Sequence, residues 1–98
     1  MARSPNTDLN GKPFARTTVD AVWKKGRAIE QYDPNTWRYD MCGQPMRYSE
    51  YGKTDSDHGW EVDHIKPMSK GGSDDLSNLQ PLQWENNRRK GDTFPWSC

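Results

Sequence analysis

Apolar residues fall in short runs along this chain, and their spacing predicts its elements. Val19, Val22 and Trp23 sit at i, i+3 and i+4, one face of a helix opening at Thr17 or Thr18 and running to about Lys25, where Gly26 ends it. Residues 1–16 show no periodicity and are rich in Pro, Asn and Gly, which predicts a flexible or surface-draped lead-in before a folded unit at 17–98. Trp37 to Met41 and Gln44 to Tyr48 flank Cys42-Gly43, as in a short hairpin or a zinc-knuckle-like turn. Glu50 to Gly59 is polar and reads as loop. Trp60-Glu61-Val62 alternates as a strand that delivers Asp63 and His64 at its end. A turn at Lys70-Gly71-Gly72-Ser73 leads to a second strand, Leu79 to Leu82, in which Pro81 demands an edge or irregular pairing. Gln83 to Lys90 reads as a helix stopped by Gly91, with its basic residues in the last turn as the helix dipole prefers. The tail is expected to pack Phe94 and Trp96 back on the core.

Composition tests whether such a chain folds at all. Of 98 residues only 11 are Leu, Ile, Val or Phe, a level at which disorder becomes a serious alternative. Zero net charge removes self-repulsion, and five Trp with four Tyr supply large buried area per residue. The outcome predicted is one small, loop-rich α+β domain with an aromatic core, helped by a metal or a partner.

Charge is uneven along the chain. Residues 1–53 carry nine Lys/Arg against six Asp/Glu, 54–77 two against six, and 78–98 three against two. The acidic block suits a divalent cation, while the neutral total predicts weak, salt-sensitive DNA binding. No apolar stretch is long enough for a signal segment or a membrane span, which predicts a cytoplasmic protein without membrane partners. Cys42 and Cys98 are then expected as free thiols in a reducing compartment.

The candidate chemistry lies in residues 62–90. Strand, turn, strand and helix bring Asp63 at one strand end beside Asn87 on the helix, two oxygen donors suited to Mg²⁺ or Mn²⁺. His64 points to the other side of the extended backbone and can take a proton from water near neutral pH without ligating. Glu61, two residues before Asp63, is open to a cross-strand ion pair or to a contact with metal-bound water. Arg88 and Arg89 are open to DNA phosphate contacts or to a solvated face.

Asp63-His64-Ile65, Pro67, Gly71-Gly72, Asn78-Leu79 and Asn87 with Lys90 resemble the ββα-metal (His-Me finger) core of HNH endonucleases. The resemblance covers about residues 60–91 tightly, with a helix and hairpin extending N-terminally. It implies a divalent-metal-dependent endonuclease that hydrolyses DNA. His64 would be the general base, Asp63 and Asn87 the metal ligands, and Asn78 the Asn that holds the inter-strand loop and orients His64. Lys90 would lie near substrate phosphate, with Arg88 and Arg89 beside it. The alternative is a catalytically inactive nucleic-acid-binding module with the same fold. DNA is the expected partner, and the resemblance leaves phage packaging proteins or a second copy of the chain open.

Zinc-containing relatives carry two cysteine pairs around this core. Here the four positions read Tyr39, Cys42, Gln83 and Asn86, so a four-thiolate site cannot form and no structural zinc is expected. Packing between Tyr39 and Trp84 is expected to replace that staple.

Overall fold

The computed structural model describes residues 4–98. In chain order it places α1 (Arg16–Trp23), β1 (Arg27–Ala28), β2 (Trp37–Tyr39), β3 (Pro45–Arg47), β4 (Trp60–His64), β5 (Leu79–Gln83) and α2 (Trp84–Lys90), with single 3₁₀ turns at Tyr48–Glu50, Met68–Lys70 and Leu76–Asn78. This is a small α+β architecture. The first three strands form one antiparallel sheet in the order β1-β2-β3, and β4 pairs antiparallel with β5 in a second.

The predicted first helix begins earlier than Thr17. Ala15 is its N-cap and offers no side-chain acceptor, and its buried face is Val19, Val22 and Trp23 as the spacing required. The hairpin around Cys42-Gly43 forms as β2 and β3, with β1 added at its outer edge.

In the β4–β5 ladder Trp60 faces Gln83, Glu61 faces Leu82, Val62 faces Pro81, Asp63 faces Gln80 and His64 faces Leu79. Cross-strand partners share a face, so the ladder sorts itself into two layers. Trp60, Val62 and Leu79 join Val19, Val22, Trp23 and Met46 in the core, while Glu61, Asp63 and Leu82 lie on the side that meets α2. Pro81 is tolerated because a two-stranded sheet has only edges.

Aromatic rings do the filling that aliphatic residues are too few to do. Trp60 is fully buried, with its ring 5.0 Å from Trp23 and 4.9 Å from Tyr51. Each buried indole also finds an acceptor: Trp23 Nε1 donates to the Pro34 carbonyl and Trp60 Nε1 to that of Tyr48. The burial would otherwise strand a polar N–H. Trp37, Trp84 and Trp96 are only partly buried, and Phe94 is exposed. The tail therefore does not pack back through its rings as expected. Cys98 does that work, closing a disulfide with Cys42 across 56 residues. The expected free thiols are corrected by this bond, which no local spacing announces because α2 and the tail must first fold back on the hairpin.

The staple proposed between Tyr39 and Trp84 is also replaced. The Tyr39 ring lies under the Arg27 guanidinium and the Trp84 indole donates to the Ser56 carbonyl. The join between hairpin and α2 runs instead through the buried carboxylate of Asp40. One oxygen accepts from the backbone N–H groups of Cys42 and Gln44, each at 2.9 Å. The other accepts from Gln83 N at 3.0 Å and Asn86 Nδ2 at 2.9 Å. Gln83 in turn caps α2, its Oε1 accepting from Glu85 N and Asn86 N. A hydrogen-bonded carboxylate thus joins the segments around positions 39, 42, 83 and 86.

The lead-in, expected as flexible or surface-draped, is over the described residues draped across the sheet edge. Asn6 Oδ1 accepts from Val62 N at 2.8 Å, Thr7 bridges Pro13, and Phe14 packs on the core. Residues 1–3 of that lead-in lie outside the described residues.

The Gly-Gly turn has a steric reason at its second position. A Cβ on Gly72 would stand 1.7 Å from the Lys66 carbonyl oxygen, a backbone atom that cannot swing aside. Gly72→Ala is expected to displace the 66–78 loop and cost at least about 2 kcal/mol. Urea unfolding followed by circular dichroism checks this, and a midpoint equal to that of the unsubstituted protein would refute it.

Candidate active site

Of the residues singled out by sequence, Asp63, His64, Asn87 and Arg88 meet at the end of β4. Asp63 and His64 leave the strand on opposite faces, and the cleft that opens across the strand terminus is lined by both, together with Asn87 and Arg88 of α2, Pro67 and Met68 of the following loop, and Ser4 to Thr7 of the lead-in. Its volume is about 460 Å³.

His64 is 8% exposed, and its ring lies 5.8 Å from that of Phe14. Its Nε2 is 2.8 Å from Oδ1 of Asp74, and among the described residues Nδ1 has no hydrogen-bond partner. Asp74 was not read as a functional residue from sequence. It sits ten positions after His64 in an acidic stretch, and only the closing of the Gly-Gly loop brings it to the ring.

Asn78 holds that loop. Its Oδ1 accepts from Lys66 N at 2.9 Å, and its Nδ2 donates to the carbonyls of Lys66 and Ser73 at 3.0 and 2.8 Å. One carboxamide so ties both ends of the 66–73 turn, on which the approach of Asp74 depends.

On the other face, Asp63 is buried. Burial pushes its carboxyl above the ordinary carboxylate range, opposed by the Gln80 amide, by the Lys90 ammonium and by His64. Gln80 Nε2 donates to Oδ2 at 2.9 Å and Lys90 Nζ lies 3.2 Å from Oδ1. Lys90 was expected beside substrate phosphate. It is instead 3% exposed, donating also to the His64 carbonyl at 2.9 Å, because the inner face of α2 carries it under β4 to offset the buried carboxylate.

Asn87 lines the cleft and its Nδ2 donates to Oε1 of Glu61 at 2.8 Å. A carboxylate accepts only, so this bond settles which end of the carboxamide is which and leaves Oδ1 as the group for other partners. Glu61 itself is buried and takes a two-pronged grip from Arg88, at 2.6 and 3.0 Å. The ion pair expected for Glu61 across the strands forms instead with helix α2, and it ties down the Arg88 guanidinium that was considered for DNA. Arg89 is exposed and donates to Asn86 Oδ1.

Among the described residues no three His, Cys, Asp or Glu side chains group to hold a metal ion. Among the donors that line the cleft are an Asp63 carboxylate oxygen and Asn87 Oδ1, both hard, and a bound cation would offset the desolvation of Asp63. Among the described residues, no helix is long and apolar enough to cross a membrane.

Comparison with curated proteins and with solved structures gives no match. The family model described as HNH endonuclease matches residues 40–93, which takes in β3, the β4–β5 ladder, α2 and the cleft-lining residues from Val62 to Asp92. That match spans more than half of the 98 residues, and the chain belongs to the HNH endonuclease family.

Proposed function

We propose that the chain is a divalent-metal-dependent endonuclease that hydrolyses DNA phosphodiester bonds. The observation that carries the proposal is the convergence of Asp63, His64 and Asn87 on one cleft, with the His64 ring held through Nε2. Asp63 and Asn87 would hold the cation, and Mg²⁺ or Mn²⁺ suits their hard oxygens. Such an ion, when bound, supplies charge neutralisation at the phosphoryl oxygens and at the leaving oxygen.

The chain's own groups account for the rest. His64 Nδ1 takes a proton from a water molecule, whose oxygen forms the new bond to phosphorus as the bond to the 3′ oxygen breaks. The 3′ oxygen takes a proton from solvent, leaving 5′-phosphate and 3′-hydroxyl ends. Asn78 keeps the loop closed around the ring, and Arg89 with the exposed Lys66 and Lys70 offers cations for the DNA backbone.

One observation favours a second reading, a DNA-binding module without turnover: the Lys90 ammonium already sits 3.2 Å from Asp63, where it competes with a divalent cation. The two readings part in a plasmid assay. The nuclease is expected to convert supercoiled to nicked DNA with Mg²⁺ or Mn²⁺ and to stop when a chelator is added. Binding that persists in chelator, with no cleavage in either metal, would establish the inactive module instead.

A further inference from the structure

We infer that Asp74 is the positioning residue of the His64 base, fixing its tautomer so that the lone pair lies on Nδ1. The inference rests on the nuclease reading and adds to it a residue outside the Asp63, His64 and Asn87 set. The argument is one of donors and acceptors. A carboxylate oxygen only accepts, so the 2.8 Å contact between Asp74 Oδ1 and His64 Nε2 requires the hydrogen to be on Nε2. A neutral ring with Nε2–H carries its lone pair on Nδ1, the nitrogen with no partner among the described residues. After proton uptake the same carboxylate faces the imidazolium and stabilises it, as the buried acid of a hydrolase triad does.

Asp74 is itself held in place. Its second oxygen accepts from Leu9 N at 3.0 Å, which ties the lead-in to the loop. Asn78, by closing the 66–73 turn, brings Asp74 within reach of the ring. Two segments far apart in sequence therefore converge on one carboxylate.

This arrangement makes Asp74→Asn informative rather than conservative. The Leu9 N–H still demands an oxygen, so the amide presents its NH₂ to His64. Nε2 must then accept, and the ring proton moves to Nδ1, where it blocks the base. The experiment is long-range ¹⁵N–¹H spectroscopy of the neutral His64 ring in the full chain. It is run alongside plasmid nicking and Mn²⁺ titration calorimetry.

The expected result is Nε2–H in the unsubstituted protein and Nδ1–H in D74N. Nicking by D74N should fall by at least about 10²-fold, with Mn²⁺ affinity changed by less than about threefold and the backbone spectrum retained. A neutral ring carrying Nδ1–H in the unsubstituted protein overturns the inference, and that spectrum decides whether or not D74N folds. A rate loss with the tautomer unchanged, or a changed tautomer with the rate intact, overturns it as well. An unsubstituted protein that does not nick overturns the nuclease reading and with it the catalytic use of the pair. The ring spectra need no turnover and so separate the two failures.

Discussion

His64→Ala is expected to lower metal-dependent nicking by about 10²–10⁴-fold, the range over which a positioned general base acts. The loss should fall on turnover rather than on folding or DNA binding. The ring lies at the end of β4 and lines the cleft beside Phe14, outside the cluster that Trp60, Val62 and Leu79 build with α1. Its hydrogen bond is to a partly exposed carboxylate that keeps its bond to Leu9 N when the ring is removed. The substitution should therefore leave the circular dichroism spectrum intact and cost stability only modestly. Nicking rates of both proteins, measured in Mg²⁺ and in Mn²⁺ on one supercoiled substrate, decide the matter. Equal rates would remove His64 from the chemistry.

The largest effect on stability is expected at Asp40. Removing its carboxylate strands four donors at once, the backbone N–H groups of Cys42, Gln44 and Gln83 and the Asn86 side chain, around a site that is 4% exposed. A buried donor left unpaired costs about 1–3 kcal/mol. Partial relaxation and water entry bring the expected total for Asp40→Ala to roughly 3–5 kcal/mol, a large share of a small domain's stability. Asp40→Asn should cost less, since its one oxygen still serves two of the donors while its NH₂ opposes the others. Thermal and urea unfolding of the three proteins measures the order. An alanine variant within about 1 kcal/mol of the parent would show that the Asp40 carboxylate is not what joins hairpin and helix.

Asp40 also shows why part of the fold was legible and part was not. The helix face Val19, Val22, Trp23, the hairpin at Cys42-Gly43, the strands at Trp60 and Leu79 and the stop at Gly91 are written in local spacing. The missing cysteines at positions 39, 83 and 86 were equally plain, and so was the need for something in their place. What fills that place was not plain, because Asp40 reaches partners 43 and 46 residues away and looks in sequence like any turn aspartate. Tyr39 and Trp84 were the more conspicuous side chains at those positions, and each turned to a different neighbour.

The site divides along the same line. Asp63, His64, Asn78 and Asn87 could be picked out because their order and spacing form a pattern, and the fold does gather Asp63, His64 and Asn87 on one cleft. Lys90 was misplaced by the same reasoning, since a basic last turn predicts a favourable helix end but not which face of the helix is covered. The burial of Asp63 draws the ammonium inward, a charge effect with no local signature.

Sequence by itself determined the order of the elements and which chemical groups stand at the strand end, the loop and the last helix, because caps, turns and alternation act over a few residues. Tertiary structure alone decided the partners: Asp74 on His64, Glu61 on Asn87 and Arg88, Lys90 on Asp63, Asp40 at the knuckle, and Cys42 with Cys98. Each of those pairings satisfies a polar or ionic group buried or held at the cleft, or joins two thiols brought close by the fold. Which groups meet is settled only when the chain closes.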